Sequence, residues 1–511
     1  MSEKKILKAL EENPAGLSIT EISEKSGLHR NTVASVVAKL ENEGTVSLKK
    51  MGIAKLYYLK EYSGLHQRDS SYHGKNISIG IGVSDLENGY DAAVSAAKQA
   101  AMQSSQGGSP TFSIVFVSSK YNKQIEKVVK GINNILGTNW IGCTTDREIN
   151  SVLGFSEGTV EVLCLDTPYM HFGVGLAENY RKNPIVLGKN AISTAISNCP
   201  VERSGFATAQ FMRGTKKGFA EIVKNPPYFI LSFIGGPSFK NGAMLPGREV
   251  EFLEGIMQVV GSSVPIFGGS ATNDFNEIVN YKGENYVFAN GKACNNGAVV
   301  CFVVSELAFS CGLDHGYSKT DKFGIITRCS GEGRVIEELN GKPALTEYCK
   351  IAGIKAKDFL KNPFYYSVMS PICMGDVQEN IYPKVLSARS FTPKETALAG
   401  SEKFSTNTAV IIGTYNQKKT VGALERSITQ ALADNNLSSP VVALSFCCSV
   451  QRFLLRDKIR SYFTTVKQKY PDLGLFGYFT AGEIGGKKNL PSTYNNITSV
   501  SLVIFDKLLV E

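Results

Sequence analysis

The sequence predicts an α/β module of mixed sheets flanked by helices, preceded by a small α+β domain. Three observations carry this. From residue 77 onward, apolar β-rich runs alternate with helix-periodic stretches, the pattern of sheets covered by helices. A strand–helix–strand plan recurs three times along that stretch. Before it, residues 1–60 hold three helical patterns followed by a basic hairpin pattern. At 511 residues, the chain is too long for one ordinary core.

The first domain spans residues 1–60. Ile6, Leu7 and Leu10 sit at helical spacing, so residues 3–12 read as a helix ended by Asn13-Pro14-Ala15-Gly16. Ser18 and Glu21 form a capping-box pattern that opens a second helix over 19–26, and Gly27 supplies the turn after it. The third helix runs over 30–43, with Val33, Val36, Val37 and Leu40 as its inward stripe. Its other side carries Arg30, Asn31, Thr32, Ser35 and Lys39. Amides and hydroxyls suit base edges, and flanking cations suit phosphates, so this face fits a major groove. Residues 45–50 and 54–59 read as two strands of a hairpin, with Lys49, Lys50 and Lys55 near its tip as phosphate contacts.

Charge follows the same division. The net charge is +9, a mild bias for this length. Residues 1–28 carry four Lys and five Glu, whereas residues 29–60 carry six cations against Glu41 and Glu43. The runs "LSITEISEKSGLHRNTVASVVAKLENEG" and "TVSLKKMGIAKLYYL" resemble the winged helix-turn-helix of bacterial and archaeal transcription regulators. His29 departs from the pattern, since Ser, Thr or Asp often caps the recognition helix. The resemblance implies double-stranded DNA as partner. The alternative use of such a domain is protein contact or dimerisation.

Residues 61–76 are polar and read as a linker, in which His66 and His73 are solvated. Beyond it, strands are expected at 77–83, 113–117, 228–234, 298–304, 441–446 and 500–505, with helices at 90–104 and 124–136. The three repeats run from "SIVFV" to "WIGCTTDREI", from "YFILSF" to "PIFGGSATND", and from "VVALSF" to "LFGYFTAGEI". In each, the second strand breaks at Gly142, Gly268 or Gly477, and an acid follows: Glu148, Asp274 or Glu483.

Glycine at a strand end permits close backbone approach, and hydroxyls beyond it can hold a small polar ligand. The candidate ligand residues are Gly268, Gly269, Ser270 and Asp274 in the second loop, and Gly477, Thr480, Gly482 and Glu483 in the third. Arg389 joins them as a carboxylate clamp, with Arg248 as a second arginine of that kind. The first loop differs, because Asp146-Arg147 stands where the third repeat has Ala481-Gly482. Plain turn-making is the competing role for these glycines. No phosphate-binding glycine fingerprint is present.

"GCTTDREI", "PIFGGSATND" and "NNGAVVCFVV" resemble the N-terminal part of the FIST family over residues 77–345, and "GEGRVIEELNGKPALTEY" resembles the segment that joins its two parts. "VLSARSF", "GYFTAGEIGG" and "NNITSVSLVIF" resemble its C-terminal part over residues 346–511. The resemblance implies an intracellular sensory module for a small molecule, with amino acids as the candidate class, joined to an output domain. The output here is the DNA-binding domain. The reading is therefore a ligand-responsive transcriptional regulator acting as a homodimer. An interaction scaffold, or an enzyme with a DNA-binding appendage, are the alternatives.

Several function classes find no support. Eleven cysteines show no C-x-x-C pair, which suits buried thiols in a reducing compartment. His171 lies among apolar residues, and His315 in "GLDHGYS" is expected in an exposed turn. No nucleophile signature or metal-ligand spacing accompanies either, so no catalytic residue, metal or cofactor is assigned. No apolar run approaches the roughly 18 residues that span a bilayer, and the N-terminus lacks a signal-peptide pattern. The expected location is the cytoplasm, with no membrane partner.

Overall fold

The computed structural model describes residues 2–509 apart from 12, 14–16, 52–53, 61–74, 106–108, 202–209, 211–212, 217, 241–242, 246, 275–282, 377–379, 385, 388–396, 401 and 434–438. The first domain follows its apolar periodicity. Helices Ser2–Glu11, Ile19–Ser26 and Arg30–Asn42 enclose Ile6, Leu10, Ile22, Val33, Val37 and Leu40. The Ser18–Glu21 capping box forms in both directions, and Gly27 ends the second helix in the left-handed region that favours glycine. Strands Val46–Met51 and Ala54–Leu59 pair antiparallel. Leu17 exchanges backbone hydrogen bonds with Tyr57 at 2.9 and 2.8 Å, an isolated bridge that ties the start of the second helix to the wing.

The large module is a mixed α/β assembly of three six-stranded sheets built alike. Each has a central parallel pair: Phe112–Ser118 with Trp140–Thr145, Tyr228–Ile234 with Ile266–Ser270, and Pro440–Cys448 with Gly474–Thr480. An antiparallel strand flanks each pair: Val160–Asp166, Ala298–Ser305 or Thr498–Leu508. An edge strand follows: Ser78–Ser84, Met170–Ala177 or Leu307–His315.

The other edge of each sheet is completed by a hairpin from a different repeat. Arg147–Asn150 and Gly154–Glu157, which follow the first repeat's parallel pair, extend the third sheet. Glu483–Gly485 and Thr493–Asn495 leave the third repeat and extend the second sheet. Tyr286–Ala289 and Lys292–Asn295 leave the second repeat and extend the first. The exchange is cyclic, so the sheets close around one shared core. Phe112, Phe116, Phe233, Phe446, Phe476 and Tyr478 meet there.

Helices cover the outer faces. The Ala-rich helix Gly89–Ser105 and helix Ile125–Leu136 lie on the first sheet. Pro184–Asn198 and Glu249–Val260 cover the second, and Ala423–Leu432 and Ile459–Lys469 the third. The contact is close because Gly82, Gly175 and Gly312 hold the same edge-strand position. A Cβ there would overlap the helix carbonyl of Ala96, Ala191 or Ser427.

A further unit is inserted after the third edge strand. It is an eight-stranded sheet running from Phe323–Ser330 to Thr408–Ile412, packed on helices Ala344–Ala352, Ala356–Lys361 and Pro363–Met369. Its entering and leaving chains zip together as Tyr317–Ser318 and Thr414–Tyr415. The boundary drawn from sequence at 345/346 falls inside helix Ala344–Ala352, because the inserted unit is one packed body there.

Candidate functional sites

The recognition helix divides its residues as its periodicity dictates. Val33, Val37 and Leu40 are fully buried, while Arg30, Asn31, Thr32, Ser35 and Lys39 are exposed. Asn31, Thr32 and Ser35 thus form one polar face beside the Arg30 cation. The His29 cap is weak, its Nδ1 accepting the Asn31 N–H at 3.4 Å. Lys39 departs from the expected phosphate contact. Its ammonium lies 3.2 Å from Glu3 Oε2 and 3.5 Å from Glu43 Oε1, and the Glu3 hydrogen bond raises its pKa. Two carboxylates already answer that charge. In the wing, Lys55 is exposed, and the register sets Lys50 opposite it. The side chains of Lys49 and Lys50 lie outside the described residues.

The repeat glycines all do one job. A Cβ at Gly142, Gly268 or Gly477 would overlap the carbonyl oxygen of Val115, Ser232 or Ser445 on the parallel neighbour strand. Close backbone approach selects glycine there.

Beyond the glycines, two carboxylates repeat one arrangement. Glu148 and Glu483 are fully buried. Glu148 accepts from Thr145 Oγ1 through one oxygen and from Thr159 Oγ1 at 2.8 Å through the other. Glu483 accepts from Thr480 Oγ1 at 2.7 Å, and from Thr498 Oγ1 and N–H at 2.8 and 2.9 Å. Burial raises both acids, Glu483 to about 7, because water no longer solvates the charge. Glu161 stands beside Glu148, held by Asn150 and Ser156, and burial pushes it up to about 8. The sequence reading missed Thr159 and Thr498. Their signal was a threonine at the start of the antiparallel strand in two of three repeats.

Asp274 is not the third member of this set. Residues 275–285 intervene before strand Tyr286–Ala289, so Val287 takes the register position that Glu148 and Glu483 hold elsewhere. Asp274 stays half-buried, its N–H donating to Ser119 Oγ at 3.1 Å.

The other second- and third-loop candidates do meet, as a closed seam. Ser270 N–H donates to the Gly482 carbonyl at 2.9 Å, Tyr478 donates to the Gly269 carbonyl at 2.9 Å, and Ser270 Oγ donates to Glu249 at 2.9 Å. Gly268, Gly269, Ser270, Gly477, Thr480, Gly482 and Glu483 are all buried. A ligand has to part this seam to reach them. The bulky first loop is filled instead by ion pairs of Asp146 with Arg452 and of Arg147 with Glu157. Arg389 lies outside the described residues. Arg248 is paired with Glu251 and Glu332.

His315 sits at the end of its strand rather than in an exposed turn. Nε2 meets the Ile381 carbonyl at 2.7 Å and Nδ1 accepts the Tyr317 N–H at 3.2 Å, which fixes the neutral Nε2–H form. Burial lowers its pKa in the same sense. All eleven cysteines are free, and burial pushes thiols such as Cys164 and Cys447 up to about 12. Among the described residues, no group of three or more His, Cys, Asp or Glu is placed to hold a metal ion. Among them, too, no helix is long and apolar enough to cross a membrane.

Known proteins match both parts. Residues 5–48 match the IclR helix-turn-helix domain, and residues 111–342 match the FIST N domain. The chain joins an IclR-type helix-turn-helix to a FIST N domain. An uncharacterized protein of Methanocaldococcus jannaschii is 34% identical over 147 residues, which cover 26% of this chain. The matched stretch spans 27% of that relative's length. Among solved structures, a cyanuric acid hydrolase from A. caulinodans shares 10% identity over 57% of this chain and 91% of its own, with a TM-score of 0.23. PurLQS from Thermotoga maritima shares 11% identity over 84% of this chain and 72% of its own, at 0.19. At those TM-scores neither likeness bears on fold or activity.

Proposed function

We propose that this chain is a cytoplasmic, ligand-responsive transcriptional regulator. The FIST-type module senses a small molecule and controls the winged helix-turn-helix, which binds double-stranded DNA. The observation that carries the reading is the recognition helix: Val33, Val37 and Leu40 are sealed in the domain core while Asn31, Thr32 and Ser35 stand exposed. That is the division a groove-reading helix needs. The IclR and FIST N matches support the same pairing of output with sensor. A homodimer would place two such helices on half-sites about 34 Å apart.

A binding role without turnover is supported by the engaged ring of His315 and the raised thiol pKa values. Amino acids are the first ligand class to screen. Footprinting of the chain's own upstream region, with and without each amino acid, tests the coupling. Protection that no ligand alters defeats it. DNA affinity that does not fall steeply with salt defeats the DNA reading itself, since phosphate contacts release counterions.

A further inference from the structure

The neck of the inserted unit forms an open cleft of about 430 Å³. Its walls come from four distant segments: the third edge strand at Asp314 and His315, the inserted strand at Ile381 with Asn380, the helices bearing Lys419 and Arg426, and Lys487. Clefts between packed units are preferred places for small ligands.

The charge of this cleft is one-sided. Lys419, Arg426 and Lys487 line it, and among the described residues the lining acid is Asp314. Asp314 is saturated. Its Oδ1 accepts from His315 N–H at 2.7 Å and from Arg426 Nη2 and Nε at 2.6 and 3.2 Å, and its Oδ2 accepts from Gln430 at 3.0 Å. Asp314 and Arg426 therefore neutralise each other. Among the described residues, Lys419 donates to Ser318 Oγ at 2.8 Å and Lys487 to Asn380 Oδ1 at 2.5 Å, both neutral partners. Among the described residues these two ammonium groups thus meet no carboxylate, and a partly walled space concentrates their field.

We infer that this neck cleft binds a small phosphate-type oxyanion, held by Lys419 and Lys487. The chemistry of the donors selects that class. The Arg426 fork, which would grip a carboxylate in two places, is taken by Asp314, and lysine grips a compact oxyanion as a point charge. A ligand ammonium fares badly here, because Asp314 and the Ile381 carbonyl are already engaged. A bound oxyanion would join the inserted unit, through the Asn380 side of the cleft, to the third sheet. It would thereby favour one setting of the neck. In supplying a ligand class this rests on the sensory reading, but binding itself can be tested without DNA.

The test titrates inorganic phosphate, and separately glycerol 3-phosphate, into the full-length protein at constant ionic strength set with sodium chloride. Thermal unfolding is the readout. The expected result is a saturable rise in Tm, with affinity weakened about tenfold in Lys419→Ala and in Lys487→Ala and unchanged in Lys130→Ala on a distant exposed helix face. Lys419→Glu should abolish the rise. Tighter binding of glycerol 3-phosphate assigns a phosphomonoester, and equal or weaker binding assigns free phosphate. A rise that matched chloride reproduces, or that survives intact in the Lys419 and Lys487 variants, overturns the inference. A null result here with a DNA response to some other metabolite sinks this site and leaves the regulator reading standing.

Discussion

Glu148 and Glu483 hold the same position in two different sheets. Each faces the residue that follows a strand glycine, Tyr478 opposite Glu148 and Gly269 opposite Glu483, and each is gripped by a threonine on either side. The hairpins that bear them cross from one repeat to another, so these acids sit where sheets are joined.

Their raised pKa values fix the sign of a pH effect. A buried acid whose folded pKa exceeds its unfolded value binds more protons when folded, so stability is fullest below the unfolded value and is lost as pH rises toward the folded one. For Glu483 the window runs from about 4.5 to about 7, and for Glu161 from about 4.5 to about 8. Denaturant unfolding should therefore show stability falling across that range, by about 1.4 kcal/mol per pH unit for each group. Glu483→Gln should flatten the slope. A profile flat from pH 5 to 8 in the native protein contradicts it.

Removing the carboxylate altogether has a different cost. Glu483→Ala leaves the Thr480 and Thr498 donors without their acceptor, and should lower stability by about 3 kcal/mol, judged by the urea midpoint. Glu483→Gln, which keeps the shape and one acceptor oxygen, should lose less.

On the recognition helix, Asn31→Ala and Ser35→Ala should each weaken specific DNA binding by about tenfold, within the range for loss of a base contact. Affinity for unrelated DNA should hold, since both side chains are exposed and outside the domain core. Fluorescence anisotropy on specific and scrambled duplexes separates the two effects.

The Lys39–Glu3 pair leads to a gain rather than a loss. Glu3→Gln removes the nearer of the two carboxylates beside Lys39. DNA affinity at low salt should rise, and the dependence of log affinity on log salt should steepen by about 0.9 if Lys39 then takes a phosphate. Lys55→Ala should make the slope shallower by a similar step. An unchanged slope in Glu3→Gln places Lys39 off the DNA surface.

Local signals made much of this molecule legible. Helix Ile19–Ser26 and strands Ala54–Leu59 and Tyr228–Ile234 fall where capping, turn and apolar patterns put them, because those signals act over a few residues. The three-repeat plan was readable from its glycines. The exchange of hairpins was not, because a short strand's pattern shows which face is apolar and not which sheet it joins. Asp274 looked equivalent to Glu483, but Val287, thirteen residues further on, takes the matching register position. Ser270 and Thr480 were read as candidate ligand residues of separate loops; that the two loops meet and bury each other arises from pairing across repeats. The neck cleft was illegible for the same reason, since Asp314, Asn380, Lys419 and Lys487 are gathered only by the insertion.

The relay of hairpins also constrains how the chain is made. The first sheet lacks its outer strands until residue 295 has been synthesised, and the second waits for residue 495. The third borrows from the earliest repeat while offering its own strands last. No repeat can mature alone on the ribosome. The nascent module holds unfinished sheet edges until Thr493–Asn495 and Thr498–Leu508 have emerged, and a truncation before them would leave the same edges open.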